Sequence, residues 1–223
     1  MTFKKIYSRA ISRKGEQELF ALLPRVASRQ ALISATDESY LSEMTKCVFR
    51  SGFVWKIVEH KWPSFETAFA GFNPTAIASF SDERLESLSQ DTSIIRHMTK
   101  ILSTRENAKF ILETISEHKS FGRFLADWPE DDIVGLLLYL KKHGSRLGGH
   151  TGQYFLRFVG KDTFMLSKDV VTILVAEGIV DKEPTSERAL RATQEAFNHW
   201  REETGLPYSH LSRIMAASVG PSI

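Results

Sequence analysis

Apolar residues recur at three- and four-residue spacing along most of the chain, in short runs set between explicit start and stop signals. Leu19, Phe20, Leu22, Leu23 and Val26 predict a helix over Glu16 to Ser28, with Pro24 as a kink or break. Tyr40, Leu41, Met44, Val48 and Phe49 fall near one face of a helix that Thr36 or Asp37 would cap. Asn73-Pro74 marks a turn with proline at a helix start, and Ser81-Asp82-Glu83 reads as an N-cap with acids in the first turn. Asp91 to Ser93 is a polar break, after which Ile94, Ile95, Met98, Ile101 and Leu102 form one apolar face, continued helically from Asn107 to Ser120.

Trp128-Pro129 breaks the pattern again. Glu130, Asp131 and Asp132 then precede the apolar run Ile133 to Leu140, where acids suit the positive end of a helix dipole. Lys141, Lys142 and His143 close that helix, and Gly144 follows as a C-terminal cap. Gln153 to Val159 is helical by pattern, Gly160 to Thr163 a loop, and Ser167 or Asp169 would cap a helix reaching Glu177. Thr185 or Ser186 opens a long helix to Trp200, with Leu190, Ala196 and Phe197 inward, and Pro207 precedes a last helix from Ser209 to Ser218. Val170 to Val175 is the best strand candidate, yet helix signals bracket it. The fold class expected is all-α.

Composition narrows the partners. At 223 residues the chain fits one domain of ordinary size or two lobes, here taken as a single helical domain over 1–223. Hydrophobic residues make up 42% and charged residues 25%, a soluble globular balance. The net charge of +2 announces no nucleic-acid binder, so any basic surface must be local. Met1 to Gly15 is basic; it is either a solvated arm or a contributor to phosphate binding. Cys47 is the single cysteine, which rules out an intrachain disulfide and a multi-cysteine zinc site and suits a reducing compartment. No apolar run approaches a membrane span, and the first residues lack a signal peptide's apolar core. The expected protein is cytoplasmic and soluble, with no membrane partner.

Chemistry gathers around a glycine-bearing connection. Between the helices of the element at about 133–159 lies Ser145-Arg146-Leu147-Gly148-Gly149-His150-Thr151-Gly152. Glycines let the backbone turn tightly and approach a ligand, and the exposed N–H groups opening the second helix make an anion site. Such a unit grips a phosphate without reading sequence. The histidines show no metal-ligand spacing. Arg96 and His97 are expected on a helix, hydrogen-bonded within the fold.

One stretch carries more than its helices. Gly52, Trp55, Phe69, Phe72, Asn73, Pro74, Gln90, Asp91, Ile94, Ile95, Arg96, His97, Lys100, Ile101, Asn107 and Ala108 follow one another without a gap in a rare order. They resemble the DNA-3-methyladenine glycosylase I family. Leu140, Lys141, Lys142, Gly144, Gly149 and Thr151 are similar to that family's helix-hairpin-helix element. The resemblance implies a helix-hairpin-helix glycosylase-like fold of two helical lobes with a cleft between them. It also implies a monofunctional DNA repair enzyme that hydrolyses the N-glycosidic bond of an alkylated, 3-methyladenine-like base. It needs no cofactor, and its partner is double-stranded DNA with a damaged base. The protein is expected to be a monomer.

By the same resemblance Trp55 lines the base pocket and Cys47 stands in it, and Phe53 and Tyr40, aromatics near that motif, are candidates to line it with them. Gly148, Gly149, Thr151, Gly152, Lys142 and Arg146 hold the DNA backbone. Two departures stand out. Cys47 occupies the place of a family glutamate that contacts the extruded base, and a thiol cannot supply a carboxylate's charge or paired acceptors. The family's structural zinc has no cysteines to hold it here, and no metal is expected. Asp169, near the place where the wider superfamily carries an aspartate, is either the catalytic carboxylate or a first-turn helix acid. Gln153 stands where bifunctional members carry a lysine. The alternative function is a catalytically silent DNA-binding or scaffolding protein on the same fold.

Overall fold

The computed structural model describes residues 2–220 of the 223, so Met1 of the basic N-terminal segment and both ends of the 1–223 domain lie outside the described residues. Among the described residues every regular element is a helix. The all-α expectation holds. In chain order, α1 (Lys4–Lys14) and α2 (Glu16–Ala21) come first, followed by α3 (Arg29–Ser34), α4 (Asp37–Arg50) and α5 (Trp55–Ala68). Next are α6 (Pro74–Ala78), α7 (Asp82–Gln90), α8 (Met98–His118) and α9 (Phe121–Asp127). The chain ends with α10 (Ile133–His143), α11 (His150–Phe158), α12 (Lys168–Ala176), α13 (Glu187–Thr204) and α14 (Tyr208–Ala217).

The punctuation read from the sequence sets five of these helix starts. The side-chain oxygens of Thr36, Asn73, Ser81, Ser167 and Ser186 each accept a backbone N–H three residues on, fixing the starts of α4, α6, α7, α12 and α13. Where Thr36 or Asp37, Ser167 or Asp169, and Thr185 or Ser186 were open alternatives, the first, first and second residues do the capping. Three expectations fail. The helix from Glu16 stops at Ala21, since the residue before Pro24 is pushed out of the helical region. The helix after Asp91 begins only at Met98, so Ile94 and Ile95 are buried from an irregular segment. His97 is therefore not on a helix: it sits at the N-cap of α8 in extended backbone.

The chain divides into two compact units. One comprises Met1–Val26, Pro129–Leu136 and Gly160–Ile223. Its core joins Phe3, Phe164, Phe197, Trp200 and Tyr208, with the Phe164 and Phe197 rings stacked 4.5 Å apart. The Asp162 carboxylate accepts from the Tyr208 and Ser209 N–H groups at 2.9 Å each, starting α14. Asp132 likewise accepts from Gly135 N–H, at 3.0 Å, in the first turn of α10.

The other unit comprises Ala27–Trp128 and Leu137–Val159. Its long central helix, α8, carries the family-like residues inward, where they act as scaffold. Lys100 is 3% exposed, and its ammonium donates to the carbonyls of Val48 (2.7 Å), Phe49 (3.4 Å) and Ser51 at the end of α4. Helix C-termini leave carbonyls without intrahelical partners, and here one cation supplies the missing donors. Asn107 bridges in the same manner to the α10–α11 loop. Its Oδ1 accepts from Ser145 N–H at 2.7 Å and its Nδ2 donates to Ser145 O at 3.1 Å.

Phe69 and Phe72 stack face to face at 5.8 Å, beside Trp62 and Phe65. To place both rings, the turn Ala70-Gly71-Phe72 takes three successive positive φ values, 50°, 62° and 59°. Only the glycine adopts that region freely, and the buried stack holds the other two there.

Burial, and then the charge of Arg146, lowers the Lys100 amine to about 8. Its folded value lies below its ordinary 10.5, so the unfolded chain binds the extra proton between these limits. Wild-type stability measured against Lys100→Met should therefore rise as pH climbs from about 8 to about 10.5, and stay flat below about 7. At pH 7 the substitution should cost about 1–3 kcal/mol through orphaned carbonyls, read by chemical denaturation.

Candidate active site

Two separately read motifs meet in space. Cys47, Arg50 and Ser51 from the end of α4, Trp55 from the start of α5, and His150, Thr151 and Tyr154 from α11 line one cavity of about 110 Å³. Helix α4 is amphipathic, and Cys47 and Arg50, three residues apart, share the face that meets α11. Beyond Arg50 the chain reverses at Gly52, whose φ of 89° suits glycine, and enters α5 with Trp55 as its first residue.

Trp55 is 42% exposed, a rare state for so large an apolar ring. It packs edge-on against Tyr154 (centroids 5.2 Å) and Phe158 (6.0 Å), both exposed on α11. The Arg50 guanidinium lies over both rings, 5.3 Å from the Trp55 centroid and 4.5 Å from that of Phe158. Arg50 also donates to Glu43 at 2.8 Å through Nη1 and to Glu59 at 3.0 Å through Nε, with a second contact to Glu59 through Nη2. Lys46 pairs with the other Glu59 oxygen at 3.2 Å.

Cys47 is buried, and its Sγ donates to Glu43 at 3.5 Å. Burial first, and the Glu43 carboxylate second, hold the thiol well above its ordinary range. At neutral pH it is an uncharged thiol, not a nucleophile. Burial likewise raises the Glu43 carboxyl, against the pull of Arg50 and Lys46. Burial opposes the charge on Arg50, but the Glu59 hydrogen bond and the two carboxylates outweigh it and raise its value.

The remaining expected residues fall elsewhere. Tyr40 is 1% exposed in the core, donating its hydroxyl to Leu32 O at 2.6 Å and packing on Phe121. Phe53 is half-buried, edge-on to His97 and 4.6 Å from the Lys100 ammonium. Neither lines the cavity. In the loop, Gly149 caps α11 at φ 57°, ψ −136°, a region essentially closed to other residues. Gly152 brings α11 close to the loop, since a Cβ there would stand 2.4 Å from Leu147 O. Lys142 and Arg146 are exposed, and Gly148 is half-buried. Helix α11 starts at His150, three residues before the expected Gln153, which draws Thr151 and Gly152 into its first turn.

Asp169 belongs to the first unit, exposed in the first turn of α12 behind the Ser167 cap. Sequence reading passed over Arg50, His150, Tyr154 and Phe158; the i, i+3 step from Cys47 to Arg50 and the i, i+4 step from Tyr154 to Phe158 were the available signals. A larger hollow of about 450 Å³ in the first unit is lined mostly by apolar side chains such as Leu19, Phe20 and Leu23. Its Glu203 already accepts from the Phe3 N–H. The smaller cavity combines an aromatic ring pair with polar groups from the two sequence motifs.

Residues 33–135 match the methyladenine glycosylase family model. A stretch of 95 residues is 32% identical to DNA-3-methyladenine glycosylase 1 of Escherichia coli (strain K12), over 42% of this chain and 50% of that protein. The chain thus spans about half the length of that curated relative. The family resemblance read from Gly52 to Ala108 lies inside the matched segment and is borne out.

Solved structures agree on the fold. A 3-methyladenine DNA glycosylase I from Staphylococcus aureus aligns with TM-score 0.50 at 21% identity, over 56% of this chain and 77% of that one. The Methanocaldococcus jannaschii 8-oxoguanine glycosylase/lyase, in complex with a 15mer DNA containing 8-oxoguanine, aligns with TM-score 0.52 at 15% identity, over 95% and 93%. The chain has the helical DNA glycosylase fold. No helix among the described residues is long and apolar enough to cross a membrane.

As the lone cysteine, Cys47 gives a clean readout of this site. With dithionitrobenzoate at pH 8, native protein should react at least about tenfold more slowly than denatured protein, because both burial and thiol protonation suppress the thiolate. Equal rates would mean an open, ionised cysteine.

Proposed function

We propose that this chain is a monofunctional DNA glycosylase that draws a modified base out of the duplex and hydrolyses its N-glycosidic bond. The carrying observation is the convergence of Cys47 and Trp55 with Thr151 on one cavity, inside and just beyond the segment related to methyladenine glycosylases. An enzyme acting on a base must unstack it and enclose it against aromatic faces. Trp55 and Tyr154 supply such faces at the rim of the cavity.

Gly148, Gly149, Thr151 and Gly152 form the helix-hairpin-helix grip on a backbone phosphate, through N–H groups at the start of α11. Lys142 and Arg146, exposed on the same element, add long-range attraction. In the reaction water adds to the sugar C1′ as the base departs with the bond's electron pair and takes up a proton. Asp169 is the carboxylate proposed to stabilise the cationic sugar or to activate that water, and its exposure leaves it accessible. Phe53 and Tyr40 act behind the pocket: Tyr40 ties Leu32 to the core, and Phe53 covers the Lys100 amine. Gln153 is 5% exposed at the place of a lyase lysine, which supports hydrolysis without strand cleavage. The partner is double-stranded DNA carrying a damaged base, bound by a monomer.

One observation favours a second reading. The uncharged Cys47 thiol offers none of a carboxylate's charge, as a silent DNA-binding protein would tolerate. Single-turnover base release from duplexes carrying alkylated, deaminated and oxidised bases, with mass spectrometry of the products, separates the two. Release of any one base establishes the glycosylase; retained DNA binding with no release establishes the silent reading. Asp169→Asn should stop release while leaving DNA affinity within about twofold, since surface substitutions rarely exceed about 0.5 kcal/mol. Lys142→Glu with Arg146→Glu should keep the fold, weaken DNA binding and reduce the slope of log K against log salt by about 2, at about 0.9 per lost phosphate contact.

A further inference from the structure

The cavity's own charges bear on which base it takes. Trp55 presents the negative face of its ring, the feature that normally attracts a cationic ligand. That attraction is already met: the Arg50 guanidinium lies over Trp55 at 5.3 Å and itself lines the cavity. No carboxylate is among the lining residues. Glu43 and Glu59 are both engaged by Arg50, and Glu59 also by Lys46. Cys47 contributes an uncharged thiol directed at Glu43. An adenine alkylated at a ring nitrogen while still joined to its sugar carries a positive charge, and would meet a fixed cation with no adjacent free anion.

Guanidinium offers five N–H donors; three are used toward Glu43 and Glu59 and a further one faces the Cys47 sulfur, so a ligand in the cavity would compete for what remains of these donors. A ring nitrogen or carbonyl oxygen is their natural partner. We propose that the Trp55 cavity selects a neutral base rich in hydrogen-bond acceptors, an oxopurine being the simplest, and turns away a cationic alkylated base. Arg50 is the specificity-determining residue. This rests on the base-pocket reading above and narrows it to a chemical class.

Two soluble probes of similar shape and opposite charge character test it: 9-methylhypoxanthine, neutral with a carbonyl acceptor, and the permanently cationic 3,9-dimethyladeninium. Calorimetric titration of the full chain should show the neutral probe binding at least about tenfold more tightly, the scale of one desolvated cation–π or charge-assisted contact. Arg50→Gln should remove that preference by weakening the neutral probe and admitting the cation. Arg50→Lys, which keeps the charge without the planar fork, should still exclude the cation while losing affinity for the neutral probe; it also serves if Arg50→Gln misfolds by circular dichroism. Trp55→Ala should abolish binding of either probe. If the cation binds as tightly as the neutral probe with Arg50 in place, and Trp55→Ala abolishes it, the pocket stands and the charge selection is overturned. If neither probe binds, the base-pocket reading falls and this inference with it.

Discussion

Three carbonyl oxygens at the end of α4 converge on the Lys100 amine, and the candidate site is built on that contact. An ammonium taken out of water must recover its hydration from fixed acceptors. Lys100 has three N–H donors and three carbonyl partners, and the ring of Phe53 covers it at 4.6 Å. The lowered value of its amine records that these contacts do not fully offset the burial. What the arrangement gains is position. It ties the last turn of α4 to α8, and so fixes where Cys47 and Arg50 stand and where the chain leaves toward Trp55.

The opposite wall of the cavity is fixed from the same helix. Asn107, seven residues beyond Lys100, imitates a backbone peptide by both donating to and accepting from Ser145. The α10–α11 loop is thereby anchored to α8. Gly152, which leaves no Cβ to strike Leu147 O, lets α11 begin close against that loop. The two most deeply buried polar members of the family-like string therefore bond to backbone on either side of the cavity and tie both of its walls to α8.

Residues of this structural kind were easy to see in the sequence and hard to assign. Helix existence was legible because Ser, Thr and Asn caps and the apolar spacing agree locally. Boundaries failed where the apolar spacing continues through backbone that is not helical, as at Ile94 and Ile95 before His97, which stays extended at the N-cap of α8. Tyr40 illustrates the limit for the site. Its aromatic ring, two turns before Cys47 on the same face of α4, suggested a pocket wall, yet at that level of the helix the ring lies in the core, where Leu32 O takes its hydroxyl. Arg50 shows the converse. One arginine near a helix end reads as solvated charge, and only the fold brings Glu43, Glu59, Trp55 and Phe158 around it.

The thiol at position 47 is best understood together with these neighbours. Glu43 lies one turn before it on the same face, so a negatively charged residue has not left this surface; its charge is taken up by Arg50. A second carboxylate at position 47 would face Glu43 across a partly buried gap, and two like charges at that range resist joint ionisation. Arg50 would then be shared between them, and its place over Trp55 would loosen. Residues that share partners do not contribute additively. Cys47, Glu43 and Arg50 therefore form one electrostatic unit: an uncharged 47 lets Arg50 neutralise Glu43 and still cover Trp55, and that single compromise sets the charge a base would meet on entry.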